Sequence, residues 1–179
     1  MGKVCIYFGS STGFTEMAAE SIFDCFPEGC CDIYNAVDDT VDVVEGYSLI
    51  IFGISTWDYG GVQEDWQERW GELDNLKIEG KYFAIFGMGD QLGYSAWFQD
   101  AMGDLHSRLL ALGAFPLGYW PTEGYQFSQS RALTDNAKFF VGLALDDANQ
   151  DKETATRIQT WHKQLVKDYQ EASGERLFD

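Results

Sequence analysis

Three uninterrupted apolar runs constrain the fold of this chain more than any other feature of its sequence. They cover residues 4–8, 49–52 and 82–86. A run that is apolar at every position suits a strand buried on both faces, because alternation arises only where one face meets water. Such strands occur almost only in parallel sheets covered by helices on both sides. The runs therefore predict the centre of a parallel α/β sheet.

Weaker strand patterns and helical patterns alternate with these runs. The weaker strand candidates are residues 31–35, 115–120 and 139–145. Apolar spacing predicts a first helix that ends at Pro27, helices over about 62–70 and 96–112, and a C-terminal helix with Thr154 as its N-cap. The alternation predicts one doubly wound α/β domain over residues 1–179.

The charge balance narrows the classes of function. The chain has 29 Asp+Glu against 12 Lys+Arg, a formal net charge of −17 at pH 7. Nucleic-acid binding relies on basic patches, so this excess disfavours a nucleic-acid binder and favours partners with a basic face. Since the sequence has no run of about eighteen apolar residues and no apolar stretch behind a charged start, we expect neither a membrane span nor a secretory signal.

Reactive side chains are sparse and scattered. His106 and His162 lie in amphipathic helical segments and are expected at the surface. No Ser-His-Asp order, paired carboxylates or metal-ligand spacing stands out, so we expect no catalytic residue and no metal site. The cysteines form no CxxC pair and no zinc-finger spacing, which favours free thiols in a reducing cytoplasm. They are Cys5, Cys25, Cys30 and Cys31.

The loop after the first strand, FGSSTGFTE (8–16), has the composition of an anion site. Small hydroxylated residues around Gly13 let backbone N–H groups turn inward, and the following helix begins with a partial positive charge. A triphosphate loop would need GxxxxGKS/T, whereas no Lys or Arg occurs from residue 4 to 33. The loop favours a single terminal phosphate, and a ligand-free Ser/Thr-rich helix cap is the alternative.

Two further loops follow the second and third apolar runs. STWDYGG (55–61) places Trp57 and Tyr59 in a turn, and GMGDQLGY (87–94) adds Tyr94. Aromatic side chains on such loops can stack on planar rings; packing against the following helix is the alternative. Because the carboxyl ends of parallel strands meet at one edge, the three loops predict a pocket for a flat ring with a phosphorylated tail, such as flavin mononucleotide (FMN).

The motifs FGSSTGFTE, STWDYGG followed by QEDW, and GMGDQLGYSAWFQDA give the chain a family resemblance. With GYWPTEGYQF, FVGLALDDANQ and RIQTWHKQL, the chain resembles the long-chain flavodoxins over nearly its whole length. The resemblance implies a flavodoxin-like sandwich: a five-stranded parallel sheet of order 2-1-3-4-5 with helices on both faces. It also implies an insertion, at about residues 121–138, that splits the last strand.

The resemblance further implies where a non-covalently bound FMN lies. Its phosphate would be held by Ser10, Ser11, Thr12, Gly13, Phe14 and Thr15. Its isoalloxazine ring would lie between Trp57 and Tyr94, with Tyr94 the more coplanar. The other residues implied at the cofactor are Ser55, Thr56, Asp58, Tyr59, Gly60, Met88, Gly89, Asp90, Gln99 and Asp146.

A member of this family would be a low-potential one-electron carrier without a substrate of its own, whose FMN cycles between semiquinone and hydroquinone. The implied partners are basic-faced redox proteins, such as a ferredoxin/flavodoxin NADPH reductase, and acceptor enzymes. We expect a cytoplasmic monomer that binds neither nucleic acid nor membrane. Between residues 57 and 76 the sequence has six acidic residues and one basic residue, which we interpret as a docking surface for such partners.

Residue 58 departs from the family pattern, and three other functional classes remain alternatives. Asp58 occupies the peptide that flips toward the flavin in this family, where Gly or Asn is commonest, and we hypothesise that it limits the flip or shifts the potential. The alternatives are an FMN-dependent NAD(P)H:quinone oxidoreductase of related fold, a phosphoacceptor receiver domain and a flavin-free interaction protein.

Overall fold

The computed structural model describes residues 3–178, so Met1, Gly2 and Asp179 of the predicted domain lie outside the described residues. The strands are β1 (Val4–Phe8), β2 (Cys31–Asn35), β3 (Leu49–Trp57), β4 (Gly61–Val62), β5 (Tyr82–Met88), β6 (Phe115–Pro116), β7 (Trp120–Pro121), β8 (Phe139–Phe140) and β9 (Leu143–Leu145). The α-helices are α1 (Phe14–Phe23), α2 (Glu64–Arg69), α3 (Asp100–Ala111) and α4 (Asp151–Ser173). Shorter 3-10 helices cover Val41–Gly46, Trp70–Asn75 and Ser95–Trp97.

The main sheet confirms the predicted strand order. Its central strands run in the order β2-β1-β3-β5, and all of these neighbours are parallel. The predicted last strand is split, because β6 pairs with the beginning of β5 and β9 pairs with its end. Between the two halves, β7 and β8 form a separate antiparallel ladder at the base of the segment 121–138. The two-residue β4, which folds back on β3, is an addition that the sequence pattern did not indicate.

Two apolar clusters explain the uninterrupted runs. Along β1, Cys5 and Tyr7 point into one cluster, whereas Val4, Ile6 and Phe8 point into the other. Helix α3 packs into the first cluster, and α1 and α4 pack into the second. Both faces of the sheet are therefore covered, and its polar loops project from the strand ends.

The predicted helix boundaries were wrong in several places. The first helix ends at Phe23 rather than at Pro27, and α3 covers Asp100–Ala111 rather than 96–112. The helix predicted over 62–70 is shorter, because α2 continues as a 3-10 helix from Trp70. The C-terminal helix begins at Asp151, so Thr154 is not its N-cap; the Thr154 hydroxyl instead donates a hydrogen bond to Asp147 from inside the helix. A hydroxyl near a helix start does not by itself identify the first residue.

The prediction that His106 lies at the surface was also wrong. His106 is buried on α3, and its Nε2 lies 2.8 Å from the Tyr119 hydroxyl. Burial lowers the pKa of His106 to about 4, so the imidazole is neutral at pH 7. His162 on α4 is half-buried against the ring of Phe26.

The cysteines are all free thiols in the structure. Burial, followed by the charge of Asp32, raises the pKa of Cys31 to about 12, which keeps this thiol protonated and unreactive. No described helix combines the length and apolar character needed to cross a membrane.

The space around Gly53 on β3 is too small for a side chain, so a substitution there is expected to lower the stability of the protein. A Cβ at this position would lie 2.2 Å from Cζ of Phe86, which is buried on the neighbouring strand. We expect Gly53→Ala to lower the free energy of unfolding by about 1–3 kcal/mol through overpacking. Chemical denaturation of the purified protein measures this loss.

Gly71→Ala is the matched control, because nothing lies within 4 Å of a Cβ at Gly71. Its free energy of unfolding should stay within about 0.5 kcal/mol of the parent value. Equal losses in the two variants would contradict the tight packing of β3 against Phe86.

Candidate functional site

A cavity of about 310 Å³ lies at the carboxyl edge of the parallel sheet. This volume falls within the range of about 300–1,000 Å³ that is common for small-molecule sites. The loops after β1, β3, β5 and β9 surround it. The predicted site residues that line it are Thr12, Phe14, Thr15, Ser55, Thr56, Trp57, Asp58, Met88, Gly89, Asp90 and Tyr94.

The loop after β1 presents unpaired backbone donors at the start of α1. Gly13, the N-cap residue, has φ +88°, and its N–H donates to the Ser10 hydroxyl at 3.1 Å. Within residues 3–178, no hydrogen bond takes up the backbone N–H of Ser11, Thr12, Phe14 or Thr15. These donors, together with the helix dipole, form a cradle for an anion.

Gln63 bonds to this loop and Trp66 bonds to the neighbouring strand β3, roles that the sequence motifs did not reveal. Gln63 is buried, and its Nε2 donates to the Ser11 hydroxyl at 2.8 Å. The indole N–H of Trp66 donates to the Gly53 carbonyl at 2.8 Å. A Cβ at Gly9 would lie 2.4 Å from Oε1 of Gln63 and 2.9 Å from Cδ1 of the buried Trp66 ring, so this turn favours glycine. The available signal was a Gln at the start of a predicted helix, three residues before Trp66.

Two aromatic side chains line the cavity from different loops. Trp57 is 38% exposed and Tyr94 is 42% exposed, so each ring retains surface that a ligand can cover. The Trp57 indole donates to the Ser55 hydroxyl at 2.8 Å, which restricts its orientation. Tyr59 differs, since it is 75% exposed and packs edge-on against Trp97 with the ring centroids 5.0 Å apart.

The cavity lining is acidic. It contains the carboxylates of Asp58, Asp90 and Asp147, and no Lys or Arg of the described chain lines it. Burial acts to raise the pKa of Asp90, but hydrogen bonds from Gly93, Asn149 and the Leu92 backbone outweigh it, so the net pKa is lowered. Asp90 is therefore an anion at neutral pH.

Asp146 organises the loops without lining the cavity. It is fully buried, and its Oδ2 accepts hydrogen bonds from the backbone and side chain of Gln91 at 3.0 and 2.7 Å. Asn149 bridges the two acidic residues, because its amide donates to both Asp146 and Asp90. The residues after β9 that do line the cavity are Asp147 and Ala148, which were not predicted.

The remaining predicted residues lie beside the cavity rather than in its lining, within residues 3–178. Ser10, Ser11 and Gly13 form the loop before α1, and Tyr59 and Gly60 form the turn between β3 and β4. The Gln99 side chain is fully buried, and its amide donates to the carbonyls of Gly87 and Leu145. No group of His, Cys, Asp and Glu side chains among the described residues is arranged to bind a metal.

Comparison with known proteins finds related sequences over most of the chain. The family model described as Flavodoxin matches residues 6–161. The chain is 48% identical over 161 residues to Flavodoxin 2 of Salmonella typhi, covering 90% of this chain and 93% of that protein. It is 46% identical over 166 residues to Flavodoxin 2 of Escherichia coli K12, covering 93% and 96%.

Solved structures share the fold at lower sequence identity. The structure of Fusobacterium nucleatum flavodoxin bound to flavin mononucleotide superposes with a TM-score of 0.86 at 22% identity. The match covers 93% of this chain and 98% of that one.

Proposed function

The chain belongs to the flavodoxin family, and we propose that the cavity at the carboxyl edge of its sheet is where it holds FMN. The predicted family, electron-carrier function and FMN cofactor are confirmed by the comparisons, and the chain is an electron carrier rather than an enzyme. One observation carries the assignment of the site. Backbone N–H groups without a hydrogen-bond partner in the described chain and two exposed aromatic rings lie around the same cavity.

The residues present fit FMN. The unpaired N–H groups of Ser11, Thr12, Phe14 and Thr15 would hold a phosphate without any cation, together with the hydroxyls of Thr12 and Thr15. Trp57 and Tyr94 would cover the two faces of the flavin ring, and excluding water there strengthens nearby electrostatic interactions. When bound, FMN supplies the one-electron oxidation and reduction.

The acidic lining determines whether the protein raises or lowers the reduction potential of bound FMN. Asp58, Asp90 and Asp147 make it unfavourable to add negative charge inside the cavity. One like charge at about 10 Å, with an effective dielectric constant of about 40, costs about 0.8 kcal/mol, which equals about 35 mV for one electron. Several such charges make the reduced carrier a strong electron donor.

Asp58 adopts φ +48°, a conformation that costs a non-glycine residue about 1 kcal/mol. We expect Asp58→Gly to change each one-electron potential, because it removes both a charge and this backbone cost. Asp58→Asn is the matched control, since Asn tolerates positive φ and lacks the charge. Spectroelectrochemical titration of FMN-loaded protein should show a rise of about 35 mV or less in the Asp58→Asn variant and a different shift in the Asp58→Gly variant. Unchanged potentials in both variants would contradict the proposed role of Asp58.

We also propose that the chain works as a cytoplasmic monomer and docks basic-faced redox proteins, including an NADPH reductase of the ferredoxin/flavodoxin type. Part of the acidic segment 57–76 is neutralised, because Glu72 pairs with Arg69 and Asp74 pairs with Arg108. The exposed acids Glu64 and Glu68 on α2 form no ion pair within the described residues. These two side chains are the strongest candidates for steering a basic partner.

Glu64→Gln/Glu68→Gln should therefore slow electron transfer from such a reductase by about threefold at low ionic strength, and less at high salt. Stopped-flow reduction across a range of salt concentrations measures the effect. The control is Glu28→Gln/Glu79→Gln, which removes the same charge from exposed loops at the amino ends of β2 and β5. Equal rates in the two double variants would count against docking at α2.

Reduction with and without a reductase tests the carrier function directly. FMN-loaded protein mixed with NADPH alone should remain oxidised, and addition of the reductase should reduce it. Steady NADPH oxidation without a reductase would instead favour the quinone oxidoreductase alternative.

A further inference from the structure

The turn between β3 and β4, residues 57–61, is held from one side by the start of α3. The antiparallel pairing of Trp57 with Gly61 closes the turn, and Asp58 at its tip has φ +48°. On the β3 side, the Thr56 hydroxyl accepts a hydrogen bond of 3.0 Å from the backbone N–H of Ala101. The turn carries both Trp57 and Asp58 into the cavity, so its conformation decides how they meet a ligand.

Arg131, in the segment 121–138, holds the other end of the same turn. Its Nη2 donates to the Gly60 carbonyl at 3.2 Å. The guanidinium forms a two-pronged ion pair with Asp104, with Nε–Oδ1 and Nη2–Oδ2 distances of 2.9 and 2.7 Å. Its Nη1 lies 3.0 Å from Oδ2 of Asp100, and its backbone N–H donates to Asp100 Oδ1 at 2.7 Å.

This contact is tightly packed and partly buried. The Asp100 side chain is only 3% exposed, and burial raises the pKa of Asp100 against the opposing influence of Arg131. At Gly60, which has φ +89°, a Cβ would lie 2.9 Å from Asp100 Oδ2 and 3.3 Å from Arg131 Nη1. The turn therefore sits directly on the Arg131–Asp100 pair.

We propose that Arg131 is a positioning residue: by bridging Asp100, Asp104 and the Gly60 carbonyl, it fixes the conformation of the turn 57–61 against the cofactor. This inference rests on the proposed function of the cavity. Only the planar guanidinium presents donors to all three acceptors at once, and a lysine ammonium at this position cannot reproduce the fork.

Amide hydrogen exchange tests the positioning role in flavin-free and FMN-loaded protein. In Arg131→Lys and Arg131→Gln, the amides of residues 58–62 should exchange about tenfold faster than in the parent, while those of β1 stay unchanged. Lys138→Gln is the control, because Lys138 is exposed in the same segment and its side chain has no ion pair within the described residues. Asp104→Asn, which weakens the fork from the exposed side, should give a smaller acceleration in the same amides.

Redox titration supplies a second readout. The separation between the two one-electron potentials should change in Arg131→Lys and Arg131→Gln by an amount equivalent to about a threefold change in the equilibrium constant. Lys138→Gln should leave the separation unchanged. If the exchange rates and the separation of the potentials in Arg131→Lys equal those of the parent while those in Arg131→Gln do not, only the charge of residue 131 matters. The proposal is then overturned. Unchanged exchange in all Arg131 and Asp104 variants also overturns it.

The two hypotheses fail in different ways. If the parent protein does not bind FMN, the proposed function fails, while hydrogen exchange in the flavin-free protein still decides whether Arg131 holds the turn. If FMN binds normally and the exchange rates of residues 58–62 do not respond to Arg131, the proposed function stands and the positioning role is wrong.

Discussion

Replacing Trp57 or Tyr94 by alanine is expected to weaken FMN binding by about 1–3 kcal/mol each, or about 5- to 150-fold in Kd. Both side chains line the cavity, and both have more than a third of their surface exposed. The loss arises because stacking on an aromatic ring is replaced by contact with water. Quenching of FMN fluorescence during titration of flavin-free protein measures Kd.

Tyr59→Ala is the control for this pair. Tyr59 is the most exposed of the three loop aromatics, and it packs against Trp97 outside the cavity lining. Its replacement should change Kd by less than about threefold. If Tyr59→Ala weakens binding as much as Trp57→Ala, the flavin ring does not occupy the cavity described above.

Removing the hydroxyls of Thr12 and Thr15 should weaken FMN binding by a comparable amount. A hydrogen bond to a charged group contributes about 1.5–3 kcal/mol, so Thr12→Val and Thr15→Val should each raise Kd about 10- to 150-fold. Both residues line the cavity, Thr12 just before α1 and Thr15 in its first turn, and valine keeps the shape of threonine. Riboflavin lacks the phosphate, so its Kd should remain near that of the parent protein.

The comparison of the two ligands makes this result specific. Ser21 lies on α1, and its hydroxyl donates only to the Met17 carbonyl. Ser21→Ala should therefore leave the Kd of both ligands unchanged. A parallel loss of riboflavin and FMN binding in the threonine variants would show that the hydroxyls support the loop rather than bind a phosphate.

Sequence reasoning predicted the parts of this molecule that depend on local pattern. The alternation of Cys5 and Tyr7 with Val4 and Ile6 between two cores explains why an unbroken apolar run indicates a central strand. The strand order and the split last strand came from the family resemblance and are confirmed by the pairing of β6 and β9 with β5.

The missed features depend on contacts between residues far apart in the chain. His106 has a polar side chain on an amphipathic helix, and only the presence of Tyr119 shows why it is buried. Asp146 and Asp147 are adjacent and chemically alike, yet Asp147 lines the cavity whereas Asp146 is buried beneath the loop. Which of two neighbouring carboxylates faces a ligand is set by the turn after β9, which no periodic pattern describes.

The contacts of the segment 121–138 also join residues far apart in the chain, so the sequence did not predict them. Besides Arg131, it reaches the loop after β5, because the Gln126 N–H donates to Gln91 Oε1 at 2.6 Å and the Ser128 N–H donates to Ser95 Oγ at 2.8 Å. It therefore contacts two of the loops that border the cavity. These contacts depend on tertiary packing, so composition alone could not assign the segment to either loop.

A spectroelectrochemical titration of the FMN-loaded protein tests the central claim most directly. The acidic cavity requires that the potential at which the second electron enters lie well below that of free FMN measured in the same cell, with two separate one-electron steps in the absorbance record. A single two-electron step at the potential of free FMN would contradict the account of this chain as a low-potential one-electron carrier.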